Sequence, residues 1–146
     1  MFSNDRATLR RQYLDAWRKY RSGEPCTPLE TMIGTVVAEH PEYHALLEDP
    51  DQAMDADWQP EDGATNPFLH MGLHLALREQ VSADRPAGIR AVHARLTRKL
   101  GDRLEAEHRM MEPLAEAMWN AQRSGGMPDE QAYLTALQQL ASQRRE

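Results

Sequence analysis

Apolar residues recur along this chain at spacings of three and four, and no stretch alternates with period two, so the pattern predicts helices throughout. The first covers residues 4–20. Leu9, Tyr13, Ala16, Trp17 and Tyr20 form its stripe, and Arg6, Arg10, Arg11, Arg18 and Lys19 lie mostly away from it. Ser3 or Asn4 caps its start, and Gly23 and Pro25 end it. Thr27-Pro28-Leu29-Glu30 opens a second helix: an N-cap, a proline at the first helical position and an acid near the positive end. It runs through Met32, Ile33, Val36 and Val37 toward His40, where Pro41 removes a backbone donor and stops it. A short helix restarts at Pro41 and carries Tyr43, His44, Leu46 and Leu47.

Residues 49–65 are rich in Asp, Pro and Gly and are expected to form an acidic loop, anchored by Met54 and Trp58. Asn66 then caps a helix that starts at Pro67 and is apolar nearly all round through residue 80, with Gly72 permitting close approach of another backbone. After a turn at 83–86 a long helix is expected over 86–111, striped by Ile89, Val92, Leu96 and Leu100, with a kink or break at Pro113. Helix resumes through Met118 and Trp119 to Ser124, and Gly125-Gly126 and Pro128 end it. A last helix over 129–142 buries Tyr133, Leu134, Leu137 and Leu140, and residues 143–146 are expected to fray. The fold class is all-α: one helical-bundle domain over 1–146, with about four to six helices.

Charge changes this picture by region. Residues 1–21 hold six basic and two acidic side chains. Residues 22–77 hold 11 acids and no Lys or Arg, and 78–146 hold 11 basic and 10 acidic side chains. The acidic middle attracts cations or a basic partner. With a net charge of −6, nucleic acid is not the expected partner. No apolar run approaches the roughly 20 residues of a membrane-spanning helix, and the polar first residues lack the apolar core of a signal peptide. A single cysteine, Cys26, forbids an internal disulfide and suits a reducing cytoplasm.

The candidate chemistry lies in histidines. His70 and His74 stand four apart on the apolar helix, so both face one side. Buried imidazoles need hydrogen bonds or a metal. His44 and, as a second choice, His40 flank the break at Pro41. Farther on, Leu104, Glu105, His108, Met111, Glu112 and Ala115 are predicted to share a face. His93 sits among Arg90, Arg95 and Arg98 and reads as a surface residue. Helix bundles build metal sites from such inward side chains, and imidazole with carboxylate suits iron, zinc or manganese. The candidate ligands are His44, His70, His74, His108 and Glu112, with Glu105 and His40 as second choices. Glu105-x-x-His108 resembles half of a di-iron carboxylate pattern whose second half is missing here. The chain also has the His-x-x-x-His and His-x-x-x-Glu spacings of hemerythrin-like bundles, but in reverse order and without the final His-x-x-x-x-Asp. Residues 51–57 lack the spacing of an EF-hand loop, and no phosphate loop or nucleophile elbow is present.

Leu29-Glu30, His40-Pro41-Glu42-Tyr43-His44, Asn66-Pro67-Phe68-Leu69-His70-Met71-Gly72-Leu73-His74, Arg78-Glu79-Gln80 and Glu107-His108-Arg109-Met110-Met111-Glu112 together resemble the bacterial domain of unknown function DUF1841. The resemblance spans most of the chain. It implies a small cytoplasmic protein whose histidine-bearing stretches belong together, and it supplies no catalytic residues. It also implies a small or thiol side chain where this chain has Pro113, so a helix break there would be peculiar to this member. Two functions follow as expectations. One is a non-enzymatic interaction or adaptor role, with a buried His/Glu hydrogen-bond network and a partner met by the basic helix 4–21 or the acidic loop 49–65. The other is a metal-binding bundle that holds non-haem iron or zinc in the His/Glu cluster.

Overall fold

The computed structural model describes residues 6–58 and 66–143, and among them the chain is all-α with no strand. Eight α-helices follow one another: α1 (Arg6–Ser22), α2 (Pro28–Ala38), α3 (His44–Leu47), α4 (Pro50–Asp55), α5 (Pro67–Ala83), α6 (Ile89–Leu100), α7 (Arg103–Ser124) and α8 (Glu130–Ser142). A 3-10 turn, Pro41–Tyr43, leads into α3. The count exceeds the expected four to six for two local reasons. Residues 49–58, expected as loop, contain α4. Asp49 caps it by accepting from the Gln52 N–H (3.3 Å), and Pro50 holds its first position. The long helix expected over 86–111 is two helices. Gly101, with φ of 73°, ends α6 in the left-handed region, and Asp102 caps α7 through the Leu104 N–H (3.1 Å). Pro113 breaks nothing, and α7 runs through it. A proline removes the bond to the carbonyl four residues back and crowds it; here that carbonyl belongs to Arg109, an exposed residue.

The chain divides into two compact units, Met1–Leu75 and Ala76–Glu146. In the first, α1 packs on α2, α3 and α4. Its core joins Tyr13, Leu14, Trp17, Ile33, Val36 and Val37 to Leu47, Phe68, Met71 and Leu75, and Met54 and Trp58 pack against it as the sequence suggested. The stripe of α1 differs from its prediction. Leu9 and Tyr20 lie at the surface, whereas Arg10 is buried at 3% exposure. The Arg10 guanidinium donates to the carbonyls of Ala53 (3.0 Å), Met54 (3.3 Å) and Ala56 (2.7 Å), closing the end of α4. It also lies over the rings of Trp58 and Phe68, 5.1 and 5.0 Å from their centroids.

α2 begins with the predicted cap, here a complete capping box. The Glu30 N–H donates to Thr27 Oγ1 (3.1 Å) and the Thr27 N–H to Glu30 Oε1 (2.9 Å). Along the same helix Gly34 lets the Tyr20 ring of α1 rest on bare backbone, and a Cβ there would overlap Tyr20 Cβ, Cγ and Cδ1. Gly34→Ala is therefore expected to cost about 1–3 kcal/mol despite alanine's better helix propensity. Urea unfolding of both chains checks this, and a more stable G34A protein would contradict it.

In the second unit α6, α7 and α8 pack on one another. Ile89, Val92, Leu96, Met110, Leu114, Tyr133 and Leu137 are buried. α8 has its predicted extent, capped by Asp129 through the Ala132 N–H (3.0 Å). Residues 59–65 of the expected acidic loop and 144–146 of the expected frayed end lie outside the described residues. Among the described residues no helix is long and apolar enough to cross a membrane.

Candidate metal centre

The end of α2 positions the first histidine. The last carbonyls of a helix lose their regular partners four residues on; here Val36 accepts from the Glu39 N–H (3.2 Å) and Val37 from the His40 N–H (2.9 Å), and a histidine ring adds a second bond to each. His40 Nδ1 stands 2.8 Å from the Val36 carbonyl oxygen, and His44 Nε2 stands 2.8 Å from that of Val37. A carbonyl oxygen can only accept, so each of these nitrogens carries the proton. The two rings are thereby fixed as opposite tautomers. His40 keeps its lone pair on Nε2, and His44 keeps its lone pair on Nδ1. The proline break permits this. Pro41 stops α2, His40 takes φ of −125° and ψ of 71°, and its ring lies against its own helix end.

α5 supplies the other two. Asn66 Oδ1 accepts from the N–H groups of Phe68 (2.9 Å) and Leu69 (3.3 Å), and Pro67 holds the first position, as the sequence predicted. One and two turns on, His70 and His74 share a face, and their Nε2 atoms are 3.3 Å apart. The rings of His40, His70 and His74 are mutual neighbours. Centroids lie 4.8 Å apart for His40–His74, 4.9 Å for His70–His74 and 5.3 Å for His40–His70. One ligating nitrogen from each of the three lies within 4.8 Å of the others. His74 is fully buried, His40 is 3% exposed and His70 is half-buried. Tyr43 lies parallel to His40, at 2° and 5.5 Å between centroids, and meets His70 edge-on at 6.2 Å. Burial, with a smaller effect from Glu42, pushes the Tyr43 phenol above its usual pKa, so the ring is a neutral neighbour.

Two nitrogens each about 2.0–2.1 Å from a tetrahedral zinc ion stand about 3.3 Å apart. The His70–His74 separation of 3.3 Å matches. Without a metal the same distance suits one N–H donating to the other ring's lone pair. Among the described residues no buried side-chain nitrogen or oxygen lacks a hydrogen-bond partner. The arrangement can therefore persist in either state.

The sequence candidates divide. His70 and His74 come together, and His40, ranked second, joins them. His44 does not. Its Nε2 is spent on Val37, and its ring lies tilted at 32° against Trp17, 4.6 Å between centroids. The carboxylates expected with them lie on α7, in the second unit. Glu112 is exposed, and Glu105 reaches Arg109 (3.5 Å). His108, in the second unit and exposed, has Nδ1 at 3.9 Å from Glu105 Oε2. The inward face of α7 is instead Glu107, Met110, Met111 and Leu114. Glu107, 1% exposed, accepts a bidentate pair from Arg78: Nε to Oε2 and Nη2 to Oε1, both at 3.0 Å. Sequence reading missed this pair, although Met110, Met111 and Leu114 follow Glu107 at three, four and seven residues and mark its face. His93 is half-buried rather than at the surface. Burial lowers its pKa most, Glu107 opposes that, and Arg103 and Arg78 add to it.

A family model described as Domain of unknown function (DUF1841) matches residues 5–139. No curated protein and no solved structure matches the chain.

Proposed function

The chain belongs to the DUF1841 family, whose description assigns no activity, and we propose from the site itself that it binds a divalent transition metal through His40, His70 and His74. The supporting observation is the meeting of three imidazoles from two chain segments, with ligating nitrogens within 4.8 Å. His40 is oriented as metal-binding histidines are, donating its other ring N–H to a backbone carbonyl. An all-imidazole set favours zinc, iron(II), copper or nickel over magnesium or calcium. Such an ion, held by neutral donors, keeps its charge and supplies Lewis acidity or a cross-link between the end of α2 and α5.

The adaptor reading has less behind it. The basic side chains of α1 are largely engaged within their own unit. Arg6 reaches Asp57 (3.8 Å), Arg18 Glu24 (3.3 Å), Lys19 Glu30 (2.9 Å) and Arg21 Glu48 (2.9 Å), and Arg10 is buried on carbonyls. Protein purified without a histidine tag is expected to carry, or to take up after chelation, about one equivalent of zinc or iron. Elemental analysis followed by competitive titration reads this directly. Protein that arrives free of metal and then binds neither ion would overturn the metal reading.

A further inference from the structure

We infer that Tyr43 is a positioning residue of this site, an aromatic plate that holds two of its three imidazoles in ligating orientation; the inference rests on the metal reading above. Among the described residues, Tyr43 alone sets a ring other than an imidazole against both His40 and His70. With His40 the contact is face to face, 2° from parallel, and with His70 it is edge-on at 77°. The backbone builds the first contact. The Tyr43 N–H donates to the His40 carbonyl (2.9 Å), so the 3-10 turn folds the two side chains onto the same side.

The need for such a plate follows from torsions. The hydrogen bond from His40 Nδ1 to Val36 fixes one point of the ring, and rotation about that bond remains soft. A flat neighbour limits that rotation and holds the ring beside those of His70 and His74, at 5.3 and 4.8 Å between centroids. Ligand-orienting neighbours of this kind typically change metal affinity about 10–100-fold when removed. Tyr43 is half-buried and packs against the core from its edge, so a leucine there, which keeps apolar contact with the core, should leave the fold standing.

The test compares Y43F and Y43L with the parent protein, using cobalt(II) as the metal. Y43F keeps the plate and is expected to bind within about twofold of the parent, with the same visible spectrum. Y43L keeps bulk and loses the plate. It is expected to bind at least about tenfold more weakly, with altered visible bands and with little change in the melting temperature of the metal-free protein. Parent-like affinity and spectrum in Y43L overturn the inference and leave the metal site intact. Equal losses in Y43F and Y43L overturn it as well, because the hydroxyl would then be the agent. A Y43L chain that does not fold makes Tyr43 a residue of the fold and also sinks the idea. If the parent itself takes up no cobalt, the metal reading fails with it.

Discussion

His40→Ala is expected to weaken zinc binding at least about 100-fold, more than the loss of an orienting neighbour brings, while His44→Ala is expected to stay within a few-fold of the parent. The contrast is sharp because the two histidines do the same structural work. Each donates one ring N–H at 2.8 Å to a carbonyl at the end of α2. Each alanine variant therefore loses one cap hydrogen bond, a contribution of about 1 kcal/mol, and both proteins should show similar modest losses in unfolding free energy. Only the unused nitrogen differs. In His40 it is Nε2, on a ring 4.8 and 5.3 Å from those of His74 and His70. In His44 it is Nδ1, on a ring tilted against Trp17. Isothermal titration of zinc into both variants, paired with urea unfolding, separates affinity from stability. Equal affinity losses in the two variants would contradict the assignment.

The second large effect is expected in the other unit and concerns stability alone. Arg78→Ala leaves the Glu107 carboxylate, 1% exposed, without its bidentate partner. Breaking a buried pair from one side typically costs about 3–5 kcal/mol, because the remaining charge stays out of water. That is a large share of the 5–15 kcal/mol typical of a whole domain. Replacing both partners together, as in R78M/E107L, is expected to recover most of the loss, since the desolvated charges then disappear as a pair. A urea double-mutant cycle measures this. An R78A protein within about 0.5 kcal/mol of the parent, the usual range of an ordinary surface substitution, would show that the pair is replaceable by solvent.

Helix type was legible because it rests on repeating patterns and caps. Thr27-Pro28-x-Glu30 and Asn66-Pro67 each announced a helix that the structure starts at that point. Two caps were legible in principle and passed over: Asp49-Pro50 before α4, and Gly101-Asp102 between α6 and α7. Both are short signals inside stretches whose broader pattern points the other way, acidic loop in one case and continuous apolar period in the other. For the site, the i, i+4 rule put His70 and His74 on one face of α5, and that relation is local. His40 is harder to place from sequence, because a helix break scatters directions that periodicity cannot follow. Which nitrogen of each ring would find which carbonyl depends on the backbone angles at the break. On α7 the sequence stripe was rotated by about one position. The pattern points Glu105 and Glu112 inward, whereas the buried acid is Glu107. With 3.6 residues per turn, polar residues next to a stripe cannot be assigned to a side until a partner such as Arg78 is in place.

The most direct test of the metal assignment is the nitrogen-15 spectrum of the imidazole rings, recorded before and after one equivalent of zinc. The chain has six histidines, so each ring can be assigned by single substitution. Before zinc, His40 should be protonated on Nδ1 and His44 on Nε2, as their carbonyl contacts require. With zinc, the Nε2 resonances of His40, His70 and His74 should move together to metal-bound positions, while His44 keeps its tautomer and its shifts. Unchanged spectra after zinc, or a response at His44 in place of His40, would contradict the assignment.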